Sequence, residues 1–126
     1  MLDINSSLMG EFEDKEYREA YVASQVRISL PLQTRALRKS RDWTQLQLAE
    51  AAGMSQPRIS ELETPGERKL SIETLLRLAA AFDVALQVRF VPYSELVNWS
   101  EHLNLDRLDI KPFMEELSEA KERGTS

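Results

Sequence analysis

Thr44 to Glu63 reads TQLQLAEAAGMSQPRISELE, and the fold turns on this stretch. Its signals predict two short helices, roughly 45–52 and 56–62, joined by a tight turn. Thr44 can accept the amides that open the first helix, and Gln47, three residues on, completes a capping box. Trp43 before the cap and Leu48 inside the helix form the matching hydrophobic staple. Gly53 stops the helix, being the residue type that enters the left-handed region without steric cost. Ser55 caps the second helix, Met54 and Ile59 staple it, and Pro57 falls in its first turn, where a missing N–H costs little. Two helices so joined make a helix-turn-helix, whose second helix is built to enter a major groove.

Upstream, residues 1–12 read as a flexible N-terminus. Residues 13–28 suggest a helix with Tyr17, Ala20, Tyr21, Ser24 and Ile28 on one stripe. Pro31 is expected to break it and to open a new helix over 31–41, with Leu37 inward and Arg35, Arg38, Lys39 and Arg41 outward. Downstream, Pro65-Gly66 marks a turn. Ser71 then caps a strongly apolar helix, stapled by Leu70 and Leu75, whose Ile72, Leu75, Leu76, Leu78, Ala79 and Phe82 form the expected floor of the core. Residues 13–83 thus read as one helical bundle.

The period changes at 84–92, where Leu86, Val88 and Phe90 alternate with Gln87 and Arg89. Alternation predicts a strand, and a lone strand leaves its ladder groups unpaired. Two resolutions stand: the same strand of a second copy, giving a homodimer joined through Leu86, Val88 and Phe90, or an irregular stretch of the tail. The tail, 93–126, is acidic but carries Leu96, Val97, Trp99, Leu103, Phe113, Met114 and Leu117, too many apolar groups for a solvated spacer. Short helices near 93–100 and 112–122 are expected. The fold class is therefore mainly all-α: a compact bundle of about five helices plus one C-terminal β-strand pairing across a homodimer.

Composition narrows the function. The chain of 126 residues lacks cysteine, which excludes disulfides and thiolate zinc sites. No apolar run approaches a membrane span, and the acidic N-terminus is unlike a signal peptide, so a cytoplasmic protein that meets no membrane is expected. The net charge of −5 is unevenly spread. Residues 25–92 hold ten Lys/Arg against seven Asp/Glu, while 1–24 hold two against six and 93–126 four against eight. A mildly basic centre between acidic flanks suits DNA binding by the centre alone. His102 is the only histidine and no phosphate loop exists among four glycines, so the pattern predicts no enzyme, no metal and no cofactor.

The residues Trp43-Thr44-Gln45, Leu48-Ala49, Gly53, Ser55-Gln56, Ile59-Ser60 and Leu62-Glu63 resemble the Cro/C1-type (XRE) helix-turn-helix family, over about residues 30–83. The resemblance implies a bundle of about five helices that binds double-stranded DNA, and it departs from the family at Asp42, where glycine is frequent. A motif followed by a capped apolar helix and one strand also resembles HipB-type and HigA-type antitoxins, which implies a protein toxin as partner. Residues 1–30 and 93–126 resemble no named family.

At the start of the second helix, Gln56 can donate and accept together, which suits adenine in the major groove. Ser60 lies one turn on, Pro57 offers an apolar face to a thymine methyl, and Arg58 reaches a guanine or a phosphate. The resemblance places Thr44, Gln45 and the helix opening at Ser55 on the DNA backbone, and Gln45 sits at a helix N-terminus that favours phosphate. Arg68 and Lys69, and Arg38 and Lys39, are further phosphate candidates. Trp43 is expected as a packing wedge. Two readings remain: a dimeric repressor on a palindromic operator, and an antitoxin that also represses its own operon. A third, an adaptor without DNA binding, runs against Gln45, Gln56 and the local positive charge.

Overall fold

A single helix, α2, runs unbroken from Lys15 to Ser40 in a computed structural model that describes residues 6–66, 70–106 and 108–124. Asp14 caps it, its carboxylate accepting from the amides of Glu16 and Tyr17. At 26 residues it spans about 39 Å. The expected break at Pro31 does not occur. Proline has no N–H, so the carbonyl of Arg27 loses its donor from the next turn. The amide of Gly66 supplies a replacement at 3.0 Å, and Pro31 itself is fully buried. A partner 39 positions from Arg27 along the chain thus lets a helix run through a residue that locally should stop it.

The centre follows its local signals. Helices α3 (Gln45–Ala52), α4 (Gln56–Leu62) and α5 (Ile72–Phe82) come next, and α3 packs on both others. Thr44, Ser55 and Ser71 each accept an amide three residues on, from Gln47, Arg58 and Thr74. The Thr44 amide in turn donates to the Gln47 side chain at 2.7 Å, closing the capping box. Gly53 ends α3 at φ +66°, and Asp83 ends α5 at φ +59°. Leu37, Leu48, Ala49, Ala52, Ile59, Leu62, Leu78 and Phe82 form the core, with Trp43 and Met54 packed against it. Leu48, Ile59 and Leu62 are wholly shielded, each contributing about 1.5–3 kcal/mol over an exposed side chain. Trp43 is the wedge expected of it, stacked on Phe82 with ring centroids 5.6 Å apart. The floor helix α5 turns only Leu78, Ala79 and Phe82 fully inward, and leaves Ile72 and Leu76 exposed.

The flanks carry the two expected tail helices but depart from expectation at the N-terminus and at 84–92. Ser6–Glu11 form a helix, α1, where a loose N-terminus was expected. Phe12 after it is buried beneath Tyr21 and Tyr93, at 5.0 and 5.2 Å between ring centroids. Through Phe12 these contacts link Tyr93, at the start of α6 (Tyr93–His102), to Tyr21 of α2, and Val97 of α6 is buried. Residues 84–92 form no strand; among the described residues there is none, and the fold is helical throughout. Alternation predicts a strand but supplies no ladder partner, and this segment finds none among the described residues. Leu86 is half-buried, Val88 is exposed, and Phe90 stands fully in solvent. The last helix, α7 (Phe113–Glu122), buries no residue. It is held from a distance: the Asp83 carbonyl accepts from Phe113 N at 2.8 Å and the Asp83 carboxylate from Met114 N at 3.1 Å.

Candidate nucleic-acid interface

Four side chains from three helices join in one hydrogen-bonded relay. Arg38, near the end of α2, donates from Nε and Nη2 to the two carboxylate oxygens of Glu63, at 2.7 and 3.0 Å. Its Nη1 donates to the carbonyl of Trp43 at 2.7 Å. Glu63 lies just past α4 and also accepts from Gln45 Nε2 at 3.3 Å. Gln45 Oε1 then accepts from Gln56 Nε2 at 2.8 Å. Burial decreases along the relay. Arg38 and Glu63 are 9% and 6% exposed, Gln45 is intermediate, and Gln56 is at the surface.

The physical sense of this order is support. A bidentate arginine–carboxylate pair fixes both planes, and removing either partner strands a buried charge. Gln45 is fixed by that pair, and Gln56 by Gln45. One Gln56 amide hydrogen is occupied by Gln45, which leaves the second hydrogen and Oε1 for a ligand. An exposed glutamine that would otherwise sample many rotamers is therefore held in one orientation before anything binds.

Arg38 is consequently not the outward phosphate candidate of the sequence reading. Its spacing from Leu37 suggested the solvent side of α2, but Glu63 draws it in. The partner is 25 positions away, and no local pattern signals it. Lys39 is exposed on the last turn of α2. Arg41, expected outward, is half-covered: its guanidinium lies over the rings of Phe82 and Trp43 and donates to the Ile110 carbonyl. Arg68 and Lys69 lie outside the described residues.

The remaining candidates gather at the openings of α3 and α4. Thr44, Gln45, Leu46 and Gln56 line a shallow open depression with Arg38 at its base. Ser55, Pro57 and Ser60 are exposed, and Arg58 is half-covered and paired with Glu61 at 3.5 Å. Two contributors escaped the sequence reading. Glu63 carries the relay, though as a charged residue ending an amphipathic helix it looks like solvated surface. Leu46 is 57% exposed beside Gln45, and its place off the Leu48, Ala49, Ala52 stripe was the available signal. From behind, Arg77 of α5 donates to the carbonyls of Ala52 and Gly53, closing the C-terminus of α3 and holding the turn between the two helices.

Among the described residues no group of acids, histidines or cysteines could hold a metal, and no helix is long and apolar enough to cross a membrane. Residues 35–88 match the family model described as helix-turn-helix. That match supports a DNA-binding transcription regulator, a binding class and not an enzyme class. No curated protein and no solved structure matches the chain.

Proposed function

We propose that this protein is a sequence-specific regulator that binds double-stranded DNA as a homodimer and represses from an inverted repeat. The observation that carries the reading is the Gln56–Gln45 pair, exposed at one end and backed by the buried Arg38–Glu63 bridge. A primary amide that both donates and accepts in one plane matches adenine N7 and N6 in the major groove. Gln56 meets the base in this reading. Thr44, Gln45 and the opening of α3 meet phosphate, where the helix dipole favours an anion. Ser55, Pro57, Arg58 and Ser60 complete the contact along α4, with Lys39, Arg68 and Lys69 as candidates for outlying phosphates. Leu46 adds apolar surface against a sugar or a thymine methyl.

Two copies joined through Leu86, Val88 and Phe90 would present two α4 helices about 34–36 Å apart, one turn of the duplex. The exposed, alternating 86–90 segment supports that pairing. The antitoxin reading is favoured by one further observation: α7 leaves Phe113 and Met114 exposed, an apolar surface that a second protein could cover. A toxin reading frame beside this one would select it.

The test is titration of cognate and scrambled duplexes at fixed salt. Gln56→Ala is expected to cost about 1–3 kcal/mol on the cognate site and little on the scrambled one. Equal losses on both would remove Gln56 from base recognition.

A further inference from the structure

We propose that Pro31 is a positioning residue for the recognition helix, acting through the carbonyl that it frees. This inference rests on the DNA-binding reading and adds to it the element that fixes the exit of α4.

The argument begins with a cost. Proline inside a helix forfeits one hydrogen bond and crowds the carbonyl four residues back, which ordinarily kinks or breaks the helix. Here the crowded carbonyl is that of Arg27, and Gly66 N donates to it at 3.0 Å. The proline ring is fully buried, so it also fills space in the body of the protein. With any other residue at position 31, an amide of α2 itself would claim the Arg27 carbonyl. Proline keeps that acceptor open for the loop.

Gly66 is shaped for the role. Its φ is +89°, a region that L side chains rarely adopt, although a Cβ there would meet nothing within 4 Å. The demand for glycine is therefore conformational and not steric. Pro65 before it presets the turn. Thr64, one residue earlier, donates from Oγ1 to the Ser60 carbonyl at 2.9 Å and from its amide to Glu61 at 3.0 Å. The exit of α4 is thus tied to α2 at two points: Glu63 to Arg38, and Gly66 to Arg27. The two ties lie three residues apart at the exit of α4 and about three helical turns apart along α2, and together they resist rotation of α4 better than one. The angle of α4 decides whether Gln56 reaches a base edge, whereas contacts to phosphate tolerate small rotations.

The experiment uses the full chain, with hydrogen exchange at the Gly66 amide followed by NMR and DNA titration run in parallel. In Pro31→Ala, the new amide at position 31 should capture the Arg27 carbonyl, and Gly66 exchange should accelerate about fivefold or more, as expected for a lost hydrogen bond. Cognate affinity should fall about threefold to tenfold while scrambled-duplex affinity moves less than twofold, so discrimination narrows. Gly66→Ala leaves α2 untouched and should narrow discrimination in the same way, which keeps the test open if Pro31→Ala misfolds. Unchanged Gly66 exchange in Pro31→Ala would overturn the tie. Faster exchange with unchanged discrimination in both variants would overturn the positioning role. If the wild-type chain itself does not distinguish the two duplexes, the DNA reading fails with it, and the exchange arm still decides whether the tie exists.

Discussion

Residues 35–82 and residues 84–124 solve the same problem, how to end and bury a helix, in opposite ways. In the central unit each of α3, α4 and α5 is opened by its own neighbouring side chain: Thr44, Ser55 and Ser71. In the tail, α6 and α7 open at Pro92 and Pro112, which have no side-chain donor or acceptor to offer. The central unit seals Leu48, Ile59 and Leu62 completely, whereas the tail leaves Phe90, Phe113 and Met114 in solvent. A segment that caps and covers itself is self-sufficient. One that borrows the cap of its last helix and displays its apolar groups derives its order from what it touches.

That difference also explains what the sequence could reveal. The caps, the staples, Gly53 and the Trp43 wedge were legible because each partner lies within a few residues. The places of Gln45 and Gln56 in the fold were legible for the same reason, since they open the two helices whose caps are local. What failed was non-local. Arg38 turns inward for Glu63, Pro31 is tolerated because of Gly66, and α7 is capped by Asp83, 30 positions upstream of Phe113. The 84–92 segment failed differently. Its alternation predicted a strand, but a ladder needs a second strand, and the described residues supply none.

The comparison is broken most severely at the buried ion pair through which the central unit depends on a distant partner. Glu63→Ala leaves Arg38 charged, buried and without its carboxylate. The expected loss is about 3–5 kcal/mol, the range for breaking a buried pair from one side. Urea unfolding of the purified chain measures it, and a change below about 0.5 kcal/mol, the range of an exposed surface substitution, would mean the bridge is solvated in practice. Gln45 loses its anchor in the same variant, so cognate DNA affinity should fall at temperatures where the fold survives.

A middle-sized effect tests whether the tail's exposed groups are an interface. Val88 is 68% exposed, so a charge there costs the isolated chain almost nothing. Val88→Glu should leave the unfolding midpoint of a monomer unchanged yet convert a dimer to monomer in sedimentation, because two carboxylates would face one another across the pairing. A variant that sediments as wild type would detach dimerisation from the 86–90 segment.

The smallest effect isolates the borrowed cap. Asp83 does two jobs: its backbone ends α5 in the left-handed region, and its carboxylate accepts the Met114 amide. Asp83→Gly separates them, since glycine keeps the left-handed ending at no strain while deleting the carboxylate. The central unit should therefore keep its stability, and only α7 should loosen, by about 0.5–2 kcal/mol, the range of a lost N-cap. Amide exchange across 113–116 reads the tail, and exchange at Leu48 and Ile59 reads the centre. If both sets accelerate together, α7 is part of the central cooperative unit and the division drawn between the two regions is wrong. If the first set accelerates alone, the tail is a separately ordered appendage whose docking a partner can strengthen or release without unfolding the DNA-reading centre.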